Sequence, residues 1–396
     1  MGLEIRAARA EEMDELKRVA HTSLIVSISA DINPELTLCA FKDGKLATSY
    51  VAWELTMRLN GGDIPIAGVT MVGTLPVFRR YGLLRKVTAA HFKQLHEQGE
   101  RPIAALHASR SAIYQRYGYA VVQTRNTYNV EPEYLEFVDN QPVTGTFMEV
   151  NDNNLELLTG LYQRFISDRT GYLIRSPEIW QKGVLSPPRE GSVLSRIAYE
   201  ENGEPLGYVI YTANLKRESR EMLMHDLFIR DLIWNSPSAY RAIWDYFSRM
   251  DLAEHITWQR APADDPLPHL LVEPRMLNIS SYAGLMGRII DIEKAIPGRH
   301  YEAEGDLTFE IIDELCPWNR GSWKLETSVE ESRIRRTEAN PQVVMPVSTL
   351  ALLMFGQISA TEAARMGRLE ARQPGALPLW DSIIRTRYRT SHADFF

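Results

Sequence analysis

Two short stretches combine a backbone suited to anion binding with a side chain able to move a proton. The first, Arg79-Arg80-Tyr81-Gly82-Leu83-Leu84, follows an apolar strand and opens a helix. A diphosphate needs several backbone N–H groups converging on its oxygens, and a helix start offers unpaired amides together with the positive end of its dipole. Arg80 to Arg85 can supply those amides, Gly82 permits a close approach or a positive φ, and Arg79 or Arg80 can add charge. Four such residues taken alone also describe a solvated turn that caps an amphipathic helix. The second stretch, Ile113-Tyr114-Gln115-Arg116-Tyr117-Gly118-Tyr119, sets a phenol where it can return a proton to a leaving group. A tyrosine in isolation also reads as an aromatic packed under a short helix. Tyr117 and Tyr119 read as packing residues.

These stretches need elements to position them. Glu4–Ala8 reads as a strand and residues 10–20 as an amphipathic helix with Met13, Leu16, Val19 and Ala20 inward. Residues 36–41 and 46–55 form a hairpin about Asp43-Gly44, which supplies the positive φ angles a tight turn needs. After Gly61-Gly62-Asp63 a strand runs over residues 64–75, and Gly73 inside it marks an expected bulge that would splay it from its neighbour. Exposed backbone at Val72, Gly73 and Thr74 would then be open to an extended ligand. A helix follows over residues 83–98 with Gly99 as its stop, then a strand over 103–107, a helical turn over 111–116 and one final strand over 120–130.

From about Met148 the pattern repeats in worn form: a helix over 154–168, strands over 193–199 and 205–211 about Asn202-Gly203, a strand over 221–229 and a helix over 238–250. In place of Arg79-Arg80-Tyr81-Gly82 stands Trp234-Asn235-Ser236-Pro237, without the glycine or the arginines, so this copy is expected to bind no phosphate. From Leu285 a third pattern begins, with a helix through Ile289, Ile292 and Ala295, strands over 307–312 and 322–326, and further elements over 348–355 and 360–366. The closing Asp394-Phe395-Phe396 is expected to be buried rather than frayed.

A chain of 396 residues with 44% apolar content suffices for two or three cores, and three domains are expected. The net charge of −7 comes without a basic stripe, which argues against a nucleic-acid partner and suits a cationic amine. Cys39 and Cys316 support neither a disulfide framework nor a thiolate metal cluster and fit a reducing cytoplasm. There is no HExxH, no apolar run of membrane-spanning length, no GxxxxGK[ST] and no GxGxxG, so no metal, membrane, nucleoside triphosphate or dinucleotide is expected.

The turn and the Tyr114 segment together resemble the GNAT superfamily of acetyl-CoA-dependent N-acetyltransferases, whose Gln/Arg-x-x-Gly-x-Gly/Ala pattern is matched by Arg79 to Leu84. Leu84 departs from the small residue of the last place. That departure, the Leu-His-Ala-Ser run at Leu106 to Ser109, the Gly287-Arg288-Ile289-Ile290-Asp291 segment and the length resemble more narrowly the enhanced intracellular survival (Eis) family. The resemblance implies an α/β (α+β) chain: an active GNAT domain over 1–147, a degenerate GNAT domain over 148–284, and a sterol-carrier-protein-like domain over 285–396. It implies that Val72, Gly73 and Thr74 pair with the pantetheine of acetyl-CoA, that Arg80, Tyr81, Gly82, Leu83, Leu84 and Arg85 hold its pyrophosphate, and that Ser109 and Arg110 line the same ligand. Tyr114 would be the general acid. The α-carboxylate of Phe396, brought in by the third domain, would be the base, although the residues alone also describe an apolar C-terminal plug. The acceptor class implied is a multi-amine compound such as an aminoglycoside, or a lysine side chain, and the assembly a hexamer built as a dimer of trimers. A rival from another class is a non-catalytic acyl-CoA or lipid-binding protein using the third domain.

Overall fold

A computed structural model describes residues 2–28, 30–139, 141–218 and 223–396. In chain order its N-terminal part contains β1 (Leu3–Arg6), α1 (Met13–Leu24), β2 (Cys39–Lys42), β3 (Lys45–Leu59), β4 (Gly62–Thr74), α2 (Leu83–Gln98), β5 (Ile103–His107), α3 (Ser111–Gln115), β6 (Ala120–Val121) and β7 (Thr124–Val130). There follow β8 (Thr146–Glu149), α4 (Leu155–Ile166), α5 (Pro177–Lys182), β9 (Ser192–Glu201), β10 (Glu204–Glu218), β11 (Leu223–Trp234), α6 (Pro237–Ser248), β12 (Ala253–Pro262) and β13 (Ser280–Ala283). The last part has β14 (Leu285–Ile289), α7 (Ile292–Ala295), β15 (Gly305–Ile312), β16 (Gly321–Thr327), β17 (Ser332–Arg336), β18 (Val343–Pro346), α8 (Val347–Met354), α9 (Ala360–Arg365), β19 (Glu370–Ala371) and α10 (Ala376–Ile384). The chain forms two compact units, one of the residues through Val122 with Gly284–Thr386 and Phe396, the other of Gln123–Ala283 with Arg387–Phe395.

In the first unit a seven-stranded mixed sheet runs β1-β2-β3-β4-β5-β14-β6. Its strands alternate side chains between two faces. Cys39 and Phe41 point toward Leu16 and Val19 of α1, while Ala40 joins the cluster of Leu83, Val87, Phe92 and Leu95 from α2. Each Leu, Val or Phe side chain so removed from water contributes about 1.5–3 kcal/mol, which holds both helices against the sheet. The hairpin turn is as expected, with Asp43 and Gly44 at φ 53° and 77°.

Two expectations change here. Residues 285–295 are not one helix: Leu285–Ile289 is a fully buried strand that pairs with both β5 and β6, and only Ile292–Ala295, capped by the Asp291 side chain, is helical. The single strand over 120–130 is two strands, because Ala120–Val121 pairs with β14 whereas Thr124–Val130 pairs with β12 and β13 in the second unit's sheet.

A five-stranded sheet, β17-β16-β15-β18-β19, completes the first unit. The loop after β15 is built into the core beneath α2. Arg288 of β14, fully buried, donates to both carboxylate oxygens of Asp313 at 2.7 and 2.9 Å and to the Tyr117 carbonyl at 2.9 Å. Asp313 also accepts from the Cys316 amide and the Asn319 side chain, each at 3.1 Å. Trp318 stacks on His96 of α2 with centroids 4.3 Å apart. Removing one member of such a buried pair would strand a charge at a cost of about 3–5 kcal/mol.

The second unit has its own seven-stranded sheet, β13-β7-β12-β11-β10-β9-β8. Of the strand expected over 221–229, residues 221 and 222 lie outside the described residues, and β11 runs on to Trp234. Its helices α4 and α6 pack Tyr162, Phe165, Trp244 and Phe247 against the sheet.

Candidate active site

β4 and β5 run parallel and in register only from Ile66 opposite Ile103 to Val69 opposite Leu106. Beyond that point β4 continues to Thr74 while β5 stops at His107, so among the described residues 70–74 have no partner strand on that side. On the other side Thr70 opposes Val51 and Gly73 opposes Ser49, leaving Met71 and Val72 against Tyr50 alone. Two residues against one make a β-bulge, and Met71 takes the left-handed φ of 50°. Ser49 Oγ donates to the Met71 carbonyl at 2.8 Å and holds the distortion. The bulge was expected at Gly73, which is instead in register; its missing Cβ leaves room for Ser23, whose Cβ would lie 2.6 Å from one.

The basic turn is formed by two left-handed residues, Arg80 at φ 67° and Gly82 at φ 72°. Gly82 is the N-cap of α2 and has no side chain to bond the first turn; a Cβ there would meet nothing within 4 Å, so the space above it is open. The amides of Leu83, Leu84 and Arg85 therefore keep the free donors of a helix start. Leu83 is buried, while Arg80, Tyr81 and Arg85 are exposed. Of the two arginines considered for charge, Arg79 is engaged in the loop itself, donating to the Thr74 and Ser23 carbonyls at 3.0 and 3.2 Å. Arg80 is the one left at the mouth.

Ser109 and Arg110 are exposed between β5 and α3, and Arg110 is the extended N-cap of α3. Tyr114 is 8% exposed and shares one apolar cluster with Val69, Leu83 and Leu106, against which Val72 and Leu84 also pack. Burial, then the neighbouring Tyr117, pushes its phenol up to about 12, so it is protonated at neutral pH. Its ring meets Tyr119 edge-on at 5.9 Å. Behind the bulge, Tyr50 Oη and His91 Nδ1 are 2.9 Å apart, and burial depresses the His91 imidazole to about 4.

Phe396 reaches the point where β4 and β5 part. Its ring lies over Gly68, where a Cβ would come within 3.0 Å of Phe396 and 2.5 Å of Leu55. The His107 and Phe396 ring centroids are 5.3 Å apart. Gly68 lies inside the strand expected over 64–75 and His107 within the Leu106 to Ser109 run, and neither was assigned a role from the sequence; a glycine in an apolar strand that no bulge requires is the signal for it. The segment leading to Phe396 belongs to the second unit, with Asp394 buried and Phe395 72% exposed.

In the second unit β11 and β12 part in the same way after Ile229 and Trp258. Their following helix starts differently: Pro237 sits in the first turn and Ser236 Oγ accepts the Ala239 amide at 3.1 Å, so two of the donors a phosphate would use are absent or taken.

The acetyltransferase (GNAT) domain family matches residues 4–122 and again 171–289, and the sterol carrier protein domain family matches residues 292–389. A Streptomyces avermitilis protein named as an uncharacterized N-acetyltransferase is 29% identical over 323 residues, 80% of this chain and 78% of the relative. N-acetyltransferase Eis of Mycobacterium tuberculosis is 26% identical over 338 residues, 81% of this chain and 78% of that protein. The chain belongs to the Eis family of GNAT N-acetyltransferases. The fold of this Eis-family chain also matches the crystal structure of Eis1 from Mycobacterium abscessus over 100% of both chains, with a TM-score of 0.83 at 24% identity. Both sheets of the Eis-family chain thus belong to GNAT folds, and its third sheet to a sterol-carrier-protein-like α+β domain.

Proposed function

We propose that this N-acetyltransferase moves acetyl from acetyl-CoA to a primary amine of a cationic small molecule or a lysine side chain, by direct attack in a ternary complex. The observation that carries this reading is the parting of β4 from β5 beside an uncapped helix start. Val72, Gly73 and Thr74 offer strand edge to the pantetheine arm, residues 80–85 face the pyrophosphate, and Ser109 and Arg110 flank the same ligand. The amine nitrogen bonds to the thioester carbon and the C–S bond breaks. The departing thiolate takes the Tyr114 proton, and the nitrogen gives up its own through water to the Phe396 carboxylate. An α-carboxyl with a reference pKa of about 3.5 cannot strip an alkylammonium unaided, so water or a partly deprotonated amine is required. Burial pushes Cys39 up to about 11 and Cys316 up to about 12, which favours direct transfer over a thiol-bound acetyl.

In this proposal the domains divide at residues 147 and 284, and the chain works in the cytoplasm as a homohexamer, a dimer of trimers. The test measures thiol release from acetyl-CoA with a panel of polyamines and aminoglycosides, before and after a few residues are added beyond Phe396. Turnover lost with acetyl-CoA affinity kept is the expected result; unchanged turnover removes Phe396 from the chemistry, and a burst of CoA without amine removes direct transfer.

A further inference from the structure

The slot between the parting strands of the second GNAT fold is not left to a small ligand. Ser391 donates its amide to the Thr170 carbonyl at 3.0 Å, and His392 Nδ1 lies 2.7 Å from the Gly171 carbonyl. Gly171 is left-handed at φ 95°, and a Cβ on it would come within 2.5 Å of the Ser391 carbonyl. The Gln123 side chain donates to the His392 carbonyl at 3.3 Å. Both arms of the split reach the next residues. Arg260, where β12 bulges beyond its last pairing with β11, donates to the Ala393 carbonyl. Arg175 donates from Nε to Asp394 at 2.9 Å and from Nη1 to Asp231 of β11 at 2.5 Å, while Tyr208 donates to the same Asp231 at 2.7 Å. Thr390, Ser391 and His392 are 1–2% exposed and Asp394 5%.

We propose that the parted strands of the second GNAT fold form a binding site for an acidic extended peptide, whose occupant is this chain's own C-terminal segment from Thr390, with Arg175 and Arg260 as its receptor residues. Charge supports the assignment. Arg175 and Asp231 balance each other, and Arg260, with Arg125 near it, leaves a positive excess that Asp394 reduces. One backbone bond to Thr170, the His392 ring at the Gly171 carbonyl and the Arg260 side chain at the Ala393 carbonyl give attachment, and the Arg175 to Asp394 contact gives register. Phe396 is two steps along the chain from Asp394, a reach of about 7 Å at full extension. Capture of Asp394 therefore limits where the terminal carboxylate can be. Arg175 is on this view a positioning residue, a role that rests on the proposed part of Phe396 in proton transfer.

The full-length chain with Asp394→Asn tests the site by hydrogen exchange. Amides of residues 390–395 should exchange about tenfold faster or more, the size of one lost charge-assisted bond, with β10 and α6 unchanged. Unchanged exchange of the tail overturns the site. A chain ending at Arg389 supplies a second arm: a synthetic peptide of residues 390–396 should bind it saturably, and the same peptide carrying Asp394→Ala at least about tenfold more weakly. If that shortened chain is folded and does not bind the peptide, the site is overturned; if it does not fold, the full-length exchange result decides. Peptide that binds and restores turnover, with acetyl-CoA KM unchanged, supports the site and Phe396 together. Peptide that binds without restoring turnover keeps the site and overturns the reading of Phe396.

Discussion

The two GNAT folds of this chain share a frame and differ in what the frame holds. Each has a parallel strand pair that parts at its C-terminal end, after Val69 and Leu106 in one and after Ile229 and Trp258 in the other. In the first, the next helix starts at a left-handed glycine with open space above it; in the second it starts at a capped serine followed by proline. After the shorter strand the first has α3 with Tyr114, whereas the second has a 3-10 turn at Leu267–His269 and a buried Asp265 that accepts from Tyr240 and Tyr128. The parting of the strands is thus common to both folds, and what separates them is a few residues at helix starts and strand ends. Parted strands expose backbone that must be paired by something. Beside the parted strands of the second fold, residues of its own chain are held by the Thr170 carbonyl and by the Arg260 and Arg175 side chains.

The largest effect is expected of Tyr114→Phe, which has no counterpart in the second fold and should lower kcat by about 10²–10⁴-fold while leaving acetyl-CoA affinity nearly intact. A stable, folded variant with unchanged kcat would return Tyr114 to mere packing. Acid should separate the units next. His91 takes its proton near 4 when folded and near 6.5 when unfolded, so between those values the unfolded chain binds more protons and stability is lost as the pH drops. The loss is about 3 kcal/mol at most. The second unit has the same liability in His392, also held near 4 by burial, but Asp265 is pushed up to about 7 by burial and binds its proton first in the folded state, which offsets it. Hydrogen exchange at pH 5 against pH 7 should show the first unit loosening more, and His91→Gln should flatten its response; equal loosening would mean that other groups govern acid stability.

Gly82→Val comes third. A left-handed β-branched residue costs about 1–2 kcal/mol. Acetyl-CoA KM should therefore rise on the order of tenfold, read by initial rates. An unchanged KM would show that the open helix start is not where the cosubstrate's phosphates bind. The smallest effect belongs to the second unit, where Ser236→Ala should cost about 1 kcal/mol in denaturant unfolding with no change in acetyl-CoA KM. A change in that KM would mean that the capped helix takes part in cosubstrate binding after all.

Local chemistry made part of this legible in advance. α2 and β5 lie where the apolar period and Gly99 placed them, and Asp43-Gly44 turns where its positive φ angles allow. Val72, Leu83, Leu84 and Tyr114 do share one cluster. What stayed hidden depends on distant partners. The Leu285–Ile289 run is buried on both faces, so its period cannot tell strand from helix, and only the place between β5 and β6 decides. Nothing near Val122 announces that the chain changes sheets there. Arg288 sits in that buried strand without solvent, which its charge alone would argue against; Asp313, 25 residues on, makes it possible. Gly73 and Gly68 were visible as glycines, but what each makes room for, Ser23 in one case and Phe396 in the other, is known only from the fold.

The strand between β5 and β6 in the first sheet, β14, is encoded far downstream of the neighbours it joins, with an entire second sheet between them. At ribosomal speeds of roughly 5–20 residues per second, β5 and β6 wait on the order of ten seconds or more for their missing neighbour. During that interval two strand edges of the nascent chain stand open to mispairing, so yield in a foreign host should depend on translation rate and chaperone supply more than on the stability of the finished enzyme.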